Sequence, residues 1–156
     1  MLKRFWRASI IILLLLIALA YGGVEYTSRP QFCARCHEMK ANYQSWQHGI
    51  HKNVNCLMCH VNPGEAALVK RKITAAGEVV AHVTGNYRRP IRAHVNPDNC
   101  LRCHSGKDKD YLQAPNITLT SGPGAPAFPH TEVIAGHVSC LQCHPGAAHG
   151  TQKPGS

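Results

Sequence analysis

Two long hydrophobic patterns stand out along the chain, and broken sequence fills the rest. From Ala8 to Val24 no charged residue interrupts the run, and Ile10 to Leu19 is almost wholly aliphatic. Seventeen residues at the helical rise cover about 25 Å, the short end of what crosses a bilayer. Lys3, Arg4 and Arg7 precede the run, and Phe5, Trp6 and Tyr21 stand at its ends like interfacial aromatics. The pattern predicts a transmembrane anchor with a cytoplasmic N-terminus and an exported remainder. Ala18-Leu19-Ala20 also fits a cleavage site, so a removed signal peptide is the competing reading. A second pattern, from Pro63 to Gly85, reads as one helix with Pro near its start and Gly as its stop. Val69, Ile73, Ala76, Val80 and Val83 form an apolar stripe on it, and Lys70, Arg71 and Lys72 lie on its first turns. Residues 114–129 hold four Pro and two Gly and read as an irregular loop. The tail 151–156 is expected to be disordered.

Outside the anchor, large apolar residues are few. The chain of 156 residues has only 3 Phe, 2 Trp and 5 Tyr, yet 8 Cys and 11 His. A conventional core cannot be filled from this supply, so disulfides, metal or a cofactor must hold the fold. The formal charge of +9 suits anionic lipid or an acidic cofactor, and no nucleic-acid partner is expected.

The cysteines supply the answer. They fall into four pairs of one spacing, each followed directly by His: Cys33 and Cys36 before His37, Cys56 and Cys59 before His60, Cys100 and Cys103 before His104, and Cys140 and Cys143 before His144. Two thiols three residues apart add to the two vinyl groups of one porphyrin, and the adjoining imidazole then reaches the iron. A zinc ribbon built from the first two pairs, or a set of disulfides, leaves the four histidines unexplained. Four covalently bound haem c groups are therefore expected. Their roughly eight propionates are comparable to the excess positive charge. The fold class that follows is mainly α and irregular: residues 1–25 as cytoplasmic N-terminus and anchor, and 26–150 as a small multihaem domain with haems as its core. The motif intervals of 23, 44 and 40 residues show no stricter repeat.

Seven further histidines, His48, His51, His82, His94, His130, His137 and His149, are candidates for a second axial position. A second His gives a six-coordinate, low-potential haem suited to electron transfer. Met39, two residues past the first motif, is the other candidate.

The anchor, the first motif extended to Cys-x-x-Cys-His-x-Met, Trp46, His51 five residues before the second motif, and the terminal Cys-x-x-Cys-His-x(4)-His ending at His149 together resemble the NapC/NirT group of membrane tetrahaem cytochromes. The short chain is most similar to its NrfH type, the small membrane subunit of cytochrome c nitrite reductase. The resemblance implies oxidation of membrane quinol, menaquinol being the expected substrate. It also implies electron delivery to a periplasmic multihaem nitrite reductase or similar partner, in a hetero-oligomeric complex on the bacterial inner membrane. By residue match, Met39 replaces His37 as axial ligand of the first haem. His60, His104 and His144 bind the other irons, and His51 and His149 supply distal ligands. His37, His82, His94, His130 and His137 remain further candidates. In the NrfH type one haem can take its sixth ligand from a Lys of the partner.

Quinol oxidation releases two electrons and two protons, so a site needs a hydrogen-bonding group and a proton acceptor. The resemblance points to Lys72 and a carboxylate of the same helix. The family position is usually Asp, whereas this chain offers Glu78, with Val79 at the ungapped match. Two placements of this helix stay open, packed on a haem or lying at the bilayer surface. His82 is about 140° round from the apolar stripe. The competing function is an anchored electron-transfer cytochrome without a quinol site; a terminal reductase would need an open iron in a substrate pocket.

Overall fold

A computed structural model describes residues 2–87, 91, 93–107, 114–147 and 149–150. The expectation for 151–156 lies outside the described residues. Among the described residues the structure is helical, with no strand. The chain divides into two units, 1–44 and 45–156.

In the first unit, α1 (Leu2–Thr27) includes the whole apolar run. The most apolar 18 residues within Lys3–Thr27 have a mean hydropathy of 2.2, and the helix is long enough to cross a membrane. At its end the hydroxyls of Thr27 and Ser28 donate to the carbonyls of Gly23 (2.8 Å) and Val24 (2.6 Å). Pro30 then opens α2 (Pro30–Cys33), where its missing N–H costs nothing. Tyr26 meets Phe32 edge-on at 5.5 Å, and the Arg35 guanidinium lies 5.3 Å from the Tyr26 ring centre. The helix α3 (His37–His48) follows.

In the second unit, asparagines start the helices that bear two of the Cys pairs. The Asn55 side chain accepts from the Leu57 N–H at the head of α4 (Cys56–His60). Asn96 does the same for Asp98 at the head of α6 (Pro97–His104). The buried Asn99 donates to the Cys59 carbonyl at 2.8 Å and ties α6 to α4. Two short elements complete the unit, α7 (Thr131–Ala135) and a 3-10 turn at Cys140–Gln142. Among the described residues only Val61 and Asn99 are buried. Protein side chains alone make almost no core.

The helix expected from Pro63 to Gly85 is α5 (Glu65–Val83). It starts later because Gly64 has φ of 104°, outside the helical range, which sets Pro63 apart. Thr84 caps its end by donating to the Val80 carbonyl at 2.8 Å. Residues 114–129 contain no helix or strand, as their Pro and Gly content predicts. This loop folds back on the third motif: the Ile117 N–H donates to the His104 carbonyl at 2.9 Å.

Candidate functional site

The eight cysteines are all free thiols. Three of the four pairs lie in the second unit, where charge interactions link Cys59 to Cys103 and Cys100 to both Cys140 and Cys59. Burial, then the Cys103 thiol, pushes the Cys59 thiol upward against the opposing pull of Arg102. Burial also lifts Cys100, to about 11, with Cys140 adding to it by charge and hydrogen bond. Both thiols are thus neutral at pH 7, and the motifs starting at Cys56, Cys100 and Cys140 share one neighbourhood.

Cys36 and Cys143 are exposed, whereas Cys33, Cys56, Cys59, Cys100, Cys103 and Cys140 are half-buried. Each exposed thiol is the second of its pair and sits where helical structure gives way. Cys36 lies in the turn between α2 and α3, and Cys143 follows the 3-10 turn. Cys59, also second in its pair, lies instead within α4, which Asn99 of α6 holds from the side. A thiol must be reachable for a vinyl group to add to it, and the ring it bonds then covers it.

The histidines are paired across sequence. His51 and His104 have ring centroids 6.1 Å apart, His60 and His149 6.1 Å, and His130 and His144 6.3 Å. Each pair joins one motif histidine to one outside the motifs. His144 is exposed beside Cys143, yet its ring lies within 19° of parallel to that of the half-buried His130. Two imidazoles on opposite sides of one metal ion, with bonds of about 2.0–2.1 Å, put their centroids about 6.3 Å apart. The three distances lie at that value.

Backbone carbonyls orient two of these pairs. His51 Nδ1 lies 2.7 Å from the Ala147 carbonyl, and His104 Nδ1 lies 2.9 Å from the Pro115 carbonyl. A carbonyl only accepts, so each Nδ1 holds the hydrogen and each Nε2 presents a lone pair. The Trp46 indole N–H donates to the carbonyls of His51 (2.9 Å) and Val54 (3.0 Å), which fixes the turn carrying His51. Burial, then His149 and Arg71, holds His60 below the usual histidine range, in the neutral form that binds metal. Trp46, Val54, Cys56, Cys59, His60 and His149 line an apolar cleft.

These residues fit a haem on independent grounds. Arg71 Nη1 and His130 Nδ1 are buried with no hydrogen-bond partner, a costly state unless something else occupies the space. An arginine beside the His60–His149 pair suits a propionate. Arg71 was hidden in the sequence within a run of three basic residues; its one signal was its place one turn after Ala67 on the face opposite the stripe.

The remaining candidates are placed differently. In the first unit the His37 side chain is 77% exposed, with Nε2 3.2 Å from a Glu38 carboxylate oxygen, and Met39 is half-buried. In the second unit Lys72 is half-buried, whereas Glu78 is exposed and paired with Arg71 at 2.9 Å. The half-buried His82 lies 5.1 Å from the Tyr87 ring. His48, His94 and His137 are exposed, and His137 has a left-handed φ of 52°.

Paired imidazoles beside paired thiols, in a fold with almost no side-chain core, define a multihaem cytochrome c. Residues 3–154 match the NapC/NirT cytochrome c family, N-terminal region, and the chain belongs to that family. Its haem c is covalently bound, it serves electron transfer, and α1 fits a single-pass membrane anchor. Among its relatives, the cytochrome c-type protein NapC of Haemophilus influenzae is 30% identical over 95% of this chain and 88% of its own. The cytochrome c-type protein ImcH of Geobacter sulfurreducens is 31% identical over 86% of this chain, which spans only 31% of ImcH. The cytochrome c-type protein NrfH of Wolinella succinogenes is 27% identical over 80% of this chain and 70% of its own. The fold is similar to a chain in the crystal structure of the cytochrome c nitrite reductase NrfHA complex bound to the HQNO inhibitor. That match has a TM-score of 0.62 and 22% identity, and covers 94% of this chain and 91% of the other.

Proposed function

We propose that this protein is a membrane-anchored tetrahaem cytochrome c that oxidises menaquinol and passes the electrons to a periplasmic multihaem reductase, most simply a nitrite reductase. The observation that carries the reading is the pairing of three motif histidines: His60, His104 and His144 each face a second histidine at 6.1–6.3 Å. In this reading His149, His51 and His130 are the distal ligands of three irons, and Met39 serves the first. Bound haem supplies one-electron iron chemistry.

The chain's own groups do the rest. The eight cysteines fix the rings, the exposed Cys36 and Cys143 included. The carbonyls of Ala147 and Pro115 set two imidazole orientations, and Arg71 balances propionate charge. Lys72 donates a hydrogen bond to a quinol oxygen, and Glu78 is the available carboxylate of the same helix. The haem-bearing part lies in the periplasm and the N-terminus in the cytoplasm, as Lys3, Arg4 and Arg7 before α1 favour. The NrfH relative and the NrfHA likeness support a reductase partner; NapC and ImcH among the relatives keep its identity open to other reductases.

One observation favours the second reading, an electron-transfer cytochrome without a quinol site: Glu78 is already engaged by Arg71. Reduction of the holoprotein's haems by a menaquinol analogue decides between them. The expected outcome is rapid reduction, slowed about a hundredfold in Lys72→Ala. Absent reduction, or equal rates in both proteins, favours the second reading.

A further inference from the structure

The stripe on α5 turns away from the protein. Val69, Ile73, Val80 and Val83 are 58, 70, 62 and 79% exposed. The half-buried residues are Ala67, Leu68, Arg71, Lys72, Ala75, Ala81 and His82. At 100° per residue their centre lies about 145° round the helix from the stripe. The helix turns its valines and Ile73 outward and Arg71 and His82 inward, whereas a helix on a soluble domain turns its apolar stripe to the core. The half-buried face, with Arg71 beside the His60–His149 pair, is the one turned towards the haem-binding residues.

We infer that the outward stripe of α5 lies in the lipid–water interface of the membrane that α1 anchors. The exposed face is aliphatic for about 21 Å, from Val69 to Val83. The exposed Lys70 flanks it, about 100° from its centre. A long basic side chain in that position lays its methylenes along lipid and lifts its ammonium group to the headgroups. A chain of charge +9 complements an anionic leaflet, and tethering by α1 keeps that leaflet within reach. Gly64 and Gly85, both at positive φ, bound the helix and let the chain leave the interface at each end. A protein partner would be expected to find aromatic or hydrogen-bonding anchors on such a face, and the stripe has none. The inference rests on α1 as the anchor and not on quinol oxidation.

Full-length holoprotein in nanodiscs of phosphatidylethanolamine and phosphatidylglycerol tests it. p-Benzoylphenylalanine is placed at Ile73 or Val80 on the stripe, or at the exposed Thr74 about 140° from its centre, and illuminated. Lipid adducts at Ile73 and Val80 at least fivefold above Thr74 are expected. Equal yields, no lipid adduct, or adducts to a second protein chain overturn the inference. The unmodified protein gives the same reading with a diazirine-bearing lipid: adducts should fall on Val69, Ile73, Val80 and Val83. Adducts confined to Ala67, Leu68 and Ala75, or absent from α5, contradict it. A chain that labels on the stripe but fails to oxidise menaquinol leaves this inference standing and removes only the quinol reading.

Discussion

The first Cys-paired motif and the three later ones share a spacing but not an environment. In the second unit His60, His104 and His144 each stand opposite another imidazole, and thiols of three motifs influence one another. In the first unit His37 Nε2 lies 3.2 Å from a Glu38 carboxylate oxygen, and Met39 is half-buried. The same five-residue device thus serves two purposes in the proposed reading. Irons closed on both faces by histidine suit relay, because they change charge with little change in ligation. An iron bound differently, next to the anchor in sequence, suits the entry of electrons from a lipid-soluble donor.

The sharpest way to break this comparison is to remove a covalent attachment. Cys100→Ser with Cys103→Ser should lower the intact mass by about 0.6 kDa, one haem. It should also cut the yield of folded protein at least tenfold, because among the described residues only Val61 and Asn99 are buried. A stable protein with an unchanged mass contradicts haem attachment there. Next in size is loss of a distal imidazole. His149→Ala or His130→Ala should keep all haems while converting one low-spin signal to high-spin; His94→Ala, at an exposed position, should change nothing. A spectrum insensitive to His149 removes that pairing. The smallest effect belongs to Arg71. Arg71→Gln takes a positive charge from beside His60 and should lower one midpoint potential by roughly 40 mV, about 1 kcal/mol for one electron. No shift in redox titration returns Arg71 to a purely structural part in its pair with Glu78.

Covalent chemistry and bilayer thickness impose fixed spacings, which is why α1 and the four Cys-paired motifs could be read directly. Spacing says nothing of enclosure, so the exposure of Cys36 and Cys143 at helix ends had no counterpart in the pattern. Periodicity also exposed α5, although Gly64 moved its start two residues past Pro63. Which side of α5 meets the protein was not legible, since a stripe has the same period whether it faces core or lipid. Histidine partners were legible only as a pool. The pairing of His51 with His104 spans 53 positions and depends on the loop that brings Pro115 to His104 and the turn that Trp46 holds. Asn99, polar and beside a motif cysteine, gave no sign that it would be buried and tie two motifs together.

Low-temperature magnetic circular dichroism of the oxidised, full-length holoprotein reads the axial ligands of every iron at once. The account predicts three low-spin haems with two histidines each and one haem of different ligation. That fourth signal should change in Met39→Ala and persist in His37→Ala. Four equivalent two-histidine haems, or a fourth signal that depends on His37 and ignores Met39, would contradict it.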